Sequence, residues 1–299
     1  MNSRSARWKN ELLILDGGMG TVLQAKGMPP SHPPNLWSVE HPDQVRRLHE
    51  AYIEAGADII FTNTFGASRL RLEPYGWGDR IAELNGAAVR LAREAAQDGT
   101  LVAGDVGPCG PAPSTFRQLS RERAFSIFEE QVEALASAGV DLLAIETIAD
   151  LEEMDVAVAA ARSVAPALPI LGSLTFTRDG RLRSGEEAAE AARSLEAMGV
   201  EIAGANCSFG FRSLLPICEE MAKATILPLA LKPSAGVPPT PPASAEDAAA
   251  YARRFVEAGA SLVGGCCGIG PAMLRAIATS VKGMRPIRRS PIASATMKR

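Results

Sequence analysis

The sequence predicts a single (β/α)8 barrel, a closed ring of parallel strands wrapped by helices, and three observations carry that expectation. Short apolar runs alternate with amphipathic stretches over the whole chain of 299 residues, at roughly 35 residues per pair. One phrase recurs: Ala55-Gly56-Ala57-Asp58-Ile59-Ile60, Ala138-Gly139-Val140-Asp141-Leu142-Leu143, Met198-Gly199-Val200-Glu201-Ile202 and Ala258-Gly259-Ala260-Ser261-Leu262-Val263. Each reads as a helix end stopped by glycine, a small linker and an apolar strand. Polar and small residues also gather at the predicted C-terminal strand ends, the functional rim of such a barrel. A doubly wound open sheet is the competing architecture. It is disfavoured because the first turn, Asp16-Gly17-Gly18-Met19-Gly20, lacks the GxGxxG spacing of a dinucleotide site.

In chain order, the first strand is expected at 12–16 and stops at the glycine turn, and a proline-rich loop (Pro29 to Pro34) leads to a helix at 43–55. The strand at 58–63 ends in Asn63-Thr64-Phe65-Gly66 and precedes a helix at 79–97. The strand at 101–105 ends in Asp105-Val106-Gly107-Pro108-Cys109, before a helix at 120–138. The next strands, 142–146 and 169–174, end in Glu146-Thr147 and Thr175-Phe176 and feed helices at 150–164 and 186–198. A strand at 201–206 delivers Asn206-Cys207-Ser208 ahead of a helix at 211–223. One at 227–231 leads into Lys232-Pro233-Ser234, a second proline-rich loop (Pro238 to Pro242) and a helix at 244–258. The last pair is a strand at 261–265, ending in Cys266-Cys267, and a helix at 270–281. Residues 1–284 are expected to form the barrel and 285–299 a basic, flexible tail.

The formal net charge of −3 gives no electrostatic case for nucleic acid or an anionic membrane as main partner. No apolar run approaches the twenty or so residues of a membrane span, and the N-terminus leads into no signal-peptide core, so a cytoplasmic protein is expected. Five cysteines, an odd number, argue against a disulfide framework and for metal or catalytic use. The three histidines (His32, His41, His49) lie far in sequence from the thiols, so a metal site built on cysteines would be all-sulfur on the protein side.

Gly264-Gly265-Cys266-Cys267-Gly268 places two adjacent thiols at a strand end, where regular alternation would send them to opposite faces. The glycines are expected to resolve this by accepting bulged or positive-φ backbone. With Cys207 they supply three thiolates from two strand ends, a zinc site with one tetrahedral position open for substrate. The plain alternative is that each is a small buried hydrophobe. Cys218, inside a helix, reads as that, and Cys109 as packing or a bystander near the site. Asp16 and Glu146 end strands on the same face. They serve either as helix caps or as partners of a substrate ammonium, with the Gly17-Gly18-Met19 amides holding its carboxylate. Trp37 closes over the mouth or anchors its own loop.

Together, Leu15-Asp16-Gly17-Gly18-Met19-Gly20-Thr21, Thr62-Asn63-Thr64-Phe65-Gly66-Ala67, Gly104-Asp105-Val106-Gly107-Pro108, Glu146-Thr147, Asn206-Cys207-Ser208 and Gly264-Gly265-Cys266-Cys267-Gly268 resemble the homocysteine S-methyltransferase family. The resemblance runs from residue 12 to about 280, and the Asn-Thr-Phe-Gly version is most similar to the homocysteine-binding module of cobalamin-dependent methionine synthase. It implies a TIM barrel with zinc at its C-terminal face that methylates homocysteine to methionine. Cys207, Cys266 and Cys267 would be the ligands. Asp16, Gly18, Met19, Asn63, Glu146 and Asn206 would contact the substrate. Ser234 stands where that branch commonly has asparagine. With no corrinoid module in the chain, the expected donor is a methylcorrinoid on a separate protein. A small sulfonium such as S-methylmethionine, or a non-catalytic zinc-binding subunit, are the alternatives. Gly66 and Thr147, where the betaine-using branch carries tyrosines, speak against betaine.

Overall fold

Eight parallel strands form one sheet in the order β1-β8-β7-β6-β5-β4-β3-β2. They are β1 (Leu13–Ile14), β2 (Ile59–Phe61), β3 (Leu101–Val106), β4 (Leu142–Ile148), β5 (Ile170–Leu174), β6 (Ile202–Cys207), β7 (Leu229–Pro233) and β8 (Leu262–Val263). A parallel bridge between Leu15 and Ile59 joins the two ends, so the ring closes. Closure leaves no sheet edge open to another chain. The structure is a computed structural model that describes residues 7–112, 114–236 and 242–287. The proline-rich segment expected after β7 and the expected tail therefore lie largely outside the described residues.

The outer layer comprises α1 (Met19–Ala25), α2 (Trp37–Glu40), α3 (Pro42–Glu54), α4 (Arg69–Leu72), α5 (Ile81–Ala95), α6 (Arg121–Ala138), α7 (Leu151–Val164), α8 (Ala188–Ala197), α9 (Phe211–Ala224), α10 (Ala245–Glu257) and α11 (Pro271–Ser280). The repeated phrase behaves as its glycines require. Gly139, which ends α6, is left-handed at φ 91°, a conformation that costs other residues a Cβ clash. Three short helices go beyond the expected set: α1, α2 and α4 fold within what the sequence presented as rim loops. Too short to show a hydrophobic period, they are fixed by the pocket they enclose.

Two cores result. One lies between strands and helices; the other fills the barrel, from Trp8 at the bottom through Leu13, Leu15, Ile59, Leu101, Leu142 and Leu262. The strand period of two carries this inner face upward. Leu101 and Ala103 are followed by Asp105, Leu142 and Ala144 by Glu146, and Ala230 by Lys232. The barrel axis is apolar below and charged at its C-terminal end. That change of layer creates the site.

Candidate metal centre and substrate pocket

Cys207, Cys266 and Cys267 present sulfurs that all lie within 4.8 Å of one another. Tetrahedral zinc with Zn–S bonds of about 2.3 Å would set its sulfurs about 3.8 Å apart, and Cys207 Sγ and Cys267 Sγ are separated by 3.9 Å. The thiols therefore fit the metal. Hydrogen bonding with Cys266 and Cys267 pushes the Cys207 thiol far up, while the bond from Cys207 pulls Cys267 down to about 3. A bound cation would favour ionisation of all three.

Backbone geometry brings the sulfurs to one side, only in part as the sequence suggested. β8 ends at Val263, so Cys266 and Cys267 sit in the turn beyond it. Gly264 and Gly265 are not among the positive-φ residues; what they supply is room. A Cβ on Gly264 would lie 2.6 Å from the Leu15 carbonyl oxygen, and one on Gly265 would lie 2.3 Å from Ile269 Cγ2. Gly268, after the thiols, is left-handed at φ 80° as expected, and so are Cys207 (φ 56°) and Ser208 (φ 49°), where the non-glycine backbone carries a strain of roughly 1 kcal/mol or more each. It is held by Ser208 Oγ, which accepts the Phe176 N–H at 3.0 Å, and by Ser234, whose N–H and Oγ both donate to the Cys207 carbonyl at 3.2 Å. The Cys266 N–H donates to the Pro233 carbonyl at 2.8 Å, tying the cysteine turn to β7.

Beside the sulfurs is a cavity of about 640 Å³ whose lining includes Asp16, Asp105, Glu146 and Lys232. Lys232 is the functional candidate to which sequence reasoning gave no role. Its Nζ donates to Glu146 Oε2 at 3.0 Å, lies 3.7 Å from Asp16 Oδ1 and sits 3.3 Å from the Phe61 ring centroid. The period-two register with Ala230 was the available signal. One cation serves three carboxylates, so the floor stays electron-rich. Burial, only partly offset by Lys232 and the Phe61 N–H, raises Asp16 to about 7. Burial likewise raises Glu146 and Asp105, and the carboxylates together outweigh burial to raise Lys232. Among the described residues, Asp16 Oδ1 and Asp105 Oδ1 have no hydrogen-bond partner.

The remaining expected contacts divide. Asn63 lines the cavity, and its Nδ2 is given to the Pro34 carbonyl (2.7 Å) and Ser38 Oγ (3.1 Å), leaving Oδ1 for a ligand. Gly18 also lines it, but its N–H already donates to the Ile269 carbonyl at 2.9 Å, so it does not offer the amide expected of it. The Gly17 and Met19 amides remain. Asn206 is not a lining residue. Its Oδ1 accepts from Thr147 N (2.9 Å) and Ser173 Oγ (2.8 Å), while Nδ2 donates to Thr147 Oγ1 at 2.7 Å and faces Cys266 Sγ at 3.9 Å. It braces β4 against β6 at Thr147, itself left-handed at φ 63°. Trp37 is buried against His41 at 4.4 Å between ring centroids and anchors its loop without facing the mouth. Cys109 and Cys218 are buried away from the sulfur cluster.

Three clustered thiols, an acidic floor and a barrel rim agree with what comparison shows: residues 13–281 match the model of the homocysteine S-methyltransferase family. The chain belongs to that family. It is a homocysteine S-methyltransferase-type enzyme on a TIM barrel. Among solved structures it is similar to the homocysteine methyltransferase MmuM from Escherichia coli in its oxidized form, at 30% identity and TM-score 0.79, covering 92% of this chain and 99% of that one. The metallated form of the same protein matches at 29% identity and TM-score 0.77, over 91% and 96% of the two chains. The carboxyl transferase domain of Rhizobium etli pyruvate carboxylase shares the fold alone, at 17% identity and TM-score 0.54, over 93% of this chain and 48% of that one. Among the described residues no helix is long and apolar enough to cross a membrane.

Proposed function

We propose that this protein methylates the sulfur of homocysteine at a zinc centre held by Cys207, Cys266 and Cys267, taking the methyl group from a small sulfonium donor. The observation that carries the reading is the set of three sulfurs within 4.8 Å opening onto the acid-floored cavity. A free thiol has a pKa of about 8.5 and is mostly protonated at neutral pH. Zinc, when bound, holds the substrate sulfur as a thiolate without a general base. The chain's own residues do the rest. Asp16 Oδ1, Glu146 and Asn63 Oδ1 receive the substrate ammonium, and the Gly17 and Met19 amides its carboxylate. Pro30, Pro33, Pro34 and Pro111 wall the cavity. The thiol proton departs to solvent on binding. In the transfer, the donor's S–CH3 bond breaks and its electron pair stays on the departing sulfur, now a neutral thioether. A lone pair of the homocysteine sulfur forms the new S–CH3 bond, giving methionine.

The loop walls support a donor that enters the cavity, and on that ground we rank the small sulfonium ahead of the methylcorrinoid expected from the sequence. The corrinoid on a separate protein remains the second reading, favoured by the partly exposed Met19, Phe65 and Phe209. Thiols left unpaired in disulfides suit a reducing, cytoplasmic setting. The deciding experiment incubates zinc-loaded protein anaerobically with homocysteine and either S-methylmethionine or methylcobalamin. Methionine formed from the sulfonium is expected. Methionine formed from methylcobalamin alone would transfer the assignment to the corrinoid.

A further inference from the structure

Arg71 carries a charge that the acceptor chemistry leaves unused. It lies in α4, is half-buried, and lines the same cavity as the three thiols. Its Nη1 donates to the Gly110 carbonyl at 2.7 Å, and its guanidinium carbon lies 5.4 Å from the Phe65 ring centroid. A guanidinium has five N–H donors, so most remain unused. Among the described residues, no carboxylate makes a salt bridge to it. Arg69, two positions earlier, shows the contrast: it is satisfied by Glu130 and Asp79, both at 2.6 Å. Burial pulls the Arg71 guanidinium below its ordinary range, and the nearby Cys109, Glu153 and Tyr75 offset this only in part.

Placement separates Arg71 from the acceptor's end of the pocket. Its loop leaves the barrel at β2, four strands round the ring from β6, which carries Cys207. The carboxylates that suit the acceptor's ammonium project from β3, β4 and the end of β1. The pocket is therefore acidic along the barrel axis and basic at the β2 wall. With homocysteine sulfur at the thiols and its ammonium over the acids, the β2 wall faces the volume left for the donor. A planar guanidinium fork is the natural partner of a carboxylate.

We infer that Arg71 is the anchor for the carboxylate of the methyl donor, and so selects sulfonium donors that carry one. This rests on the sulfonium reading above, and the test separates the two. The probes are S-methyl-L-methionine and (3-aminopropyl)dimethylsulfonium, which keeps the sulfonium and amine but has no carboxylate. kcat/KM is measured for each with zinc-loaded wild type, R71M and R71K, and homocysteine affinity is read by calorimetry to show that each variant is folded. The wild type is expected to prefer the carboxylate-bearing probe, R71M to lose at least tenfold of that preference through donor KM, and R71K to lie between them. An unchanged preference in R71M overturns the inference while leaving the sulfonium reading intact, as does a loss that appears only in homocysteine affinity. Turnover of neither sulfonium by the wild type overturns both.

Discussion

Lys232 Nζ lies 3.0 Å from Glu146 Oε2, so the carboxylate that suits a substrate ammonium already has a cation at its side. The pair sits in the barrel's top layer with Asp16 and Asp105, where one lysine stabilises three acids. K232M removes that compensation. The acids then bind protons more tightly when folded than when unfolded, so the variant's loss of stability grows as pH rises. Unfolding of zinc-free protein should show a deficit of about 3 kcal/mol at pH 8 that is clearly smaller at pH 5. An equal deficit at both would mean that Lys232 acts by packing.

E146Q should weaken homocysteine binding while the protein retains zinc, because its partners are the substrate ammonium and Lys232. Loss of a charge-assisted hydrogen bond of about 2 kcal/mol corresponds to tens-fold in affinity. Calorimetry on variant protein of verified metal content measures this, and unchanged affinity would leave Glu146 as Lys232's counter-ion alone.

Sequence revealed the barrel because its signals are periodic: each long helix and each strand fell within a few residues of its expected place. The three cysteines were legible as well, since thiols at two strand ends need few coordinates to be set side by side. What stayed hidden depended on who bonds to whom. Asn206 reads as a rim amide, yet its donors and acceptors are used by Thr147 and Ser173. The Gly18 amide is taken by Ile269, more than two hundred residues away in sequence. Lys232 has meaning only once β4 and β7 face each other across the axis. Of the glycines around the thiols, Gly268 takes the positive φ that the sequence predicts, while Gly264 and Gly265 serve close approach.

Asn206 gives a test of bracing. N206A leaves the Thr147 N–H without its acceptor and removes the amide facing Cys266. Outer-shell losses of this kind cost roughly 10–100-fold in metal affinity. Chelator competition should show a loss in that range, with the zinc-free fold destabilised by about 1–3 kcal/mol. Wild-type affinity would show that the cysteine turn needs no such support.

His49 predicts the acid limb of stability. Fully buried in α3, with neither ring nitrogen bonded among the described residues, it is lowered by burial from 6.5 to about 4. Between those values the unfolded chain takes up a proton that the folded chain refuses. The contribution of His49 is therefore complete above pH 6.5 and is lost, by about 3 kcal/mol, as pH drops through the window. H49L should flatten that limb in denaturant titrations from pH 4 to 7. A limb of wild-type slope would assign the acid sensitivity to other groups.

The central claim is that Cys207, Cys266 and Cys267 hold a zinc ion whose fourth position receives the homocysteine sulfur. Zinc K-edge absorption on the purified protein, with and without homocysteine, tests it most directly. Three sulfurs and one lighter ligand are expected in the free enzyme, and four sulfurs once homocysteine is added. A sulfur count that homocysteine leaves unchanged, or zinc that stays bound at full stoichiometry in C266A or C267A, would contradict the account.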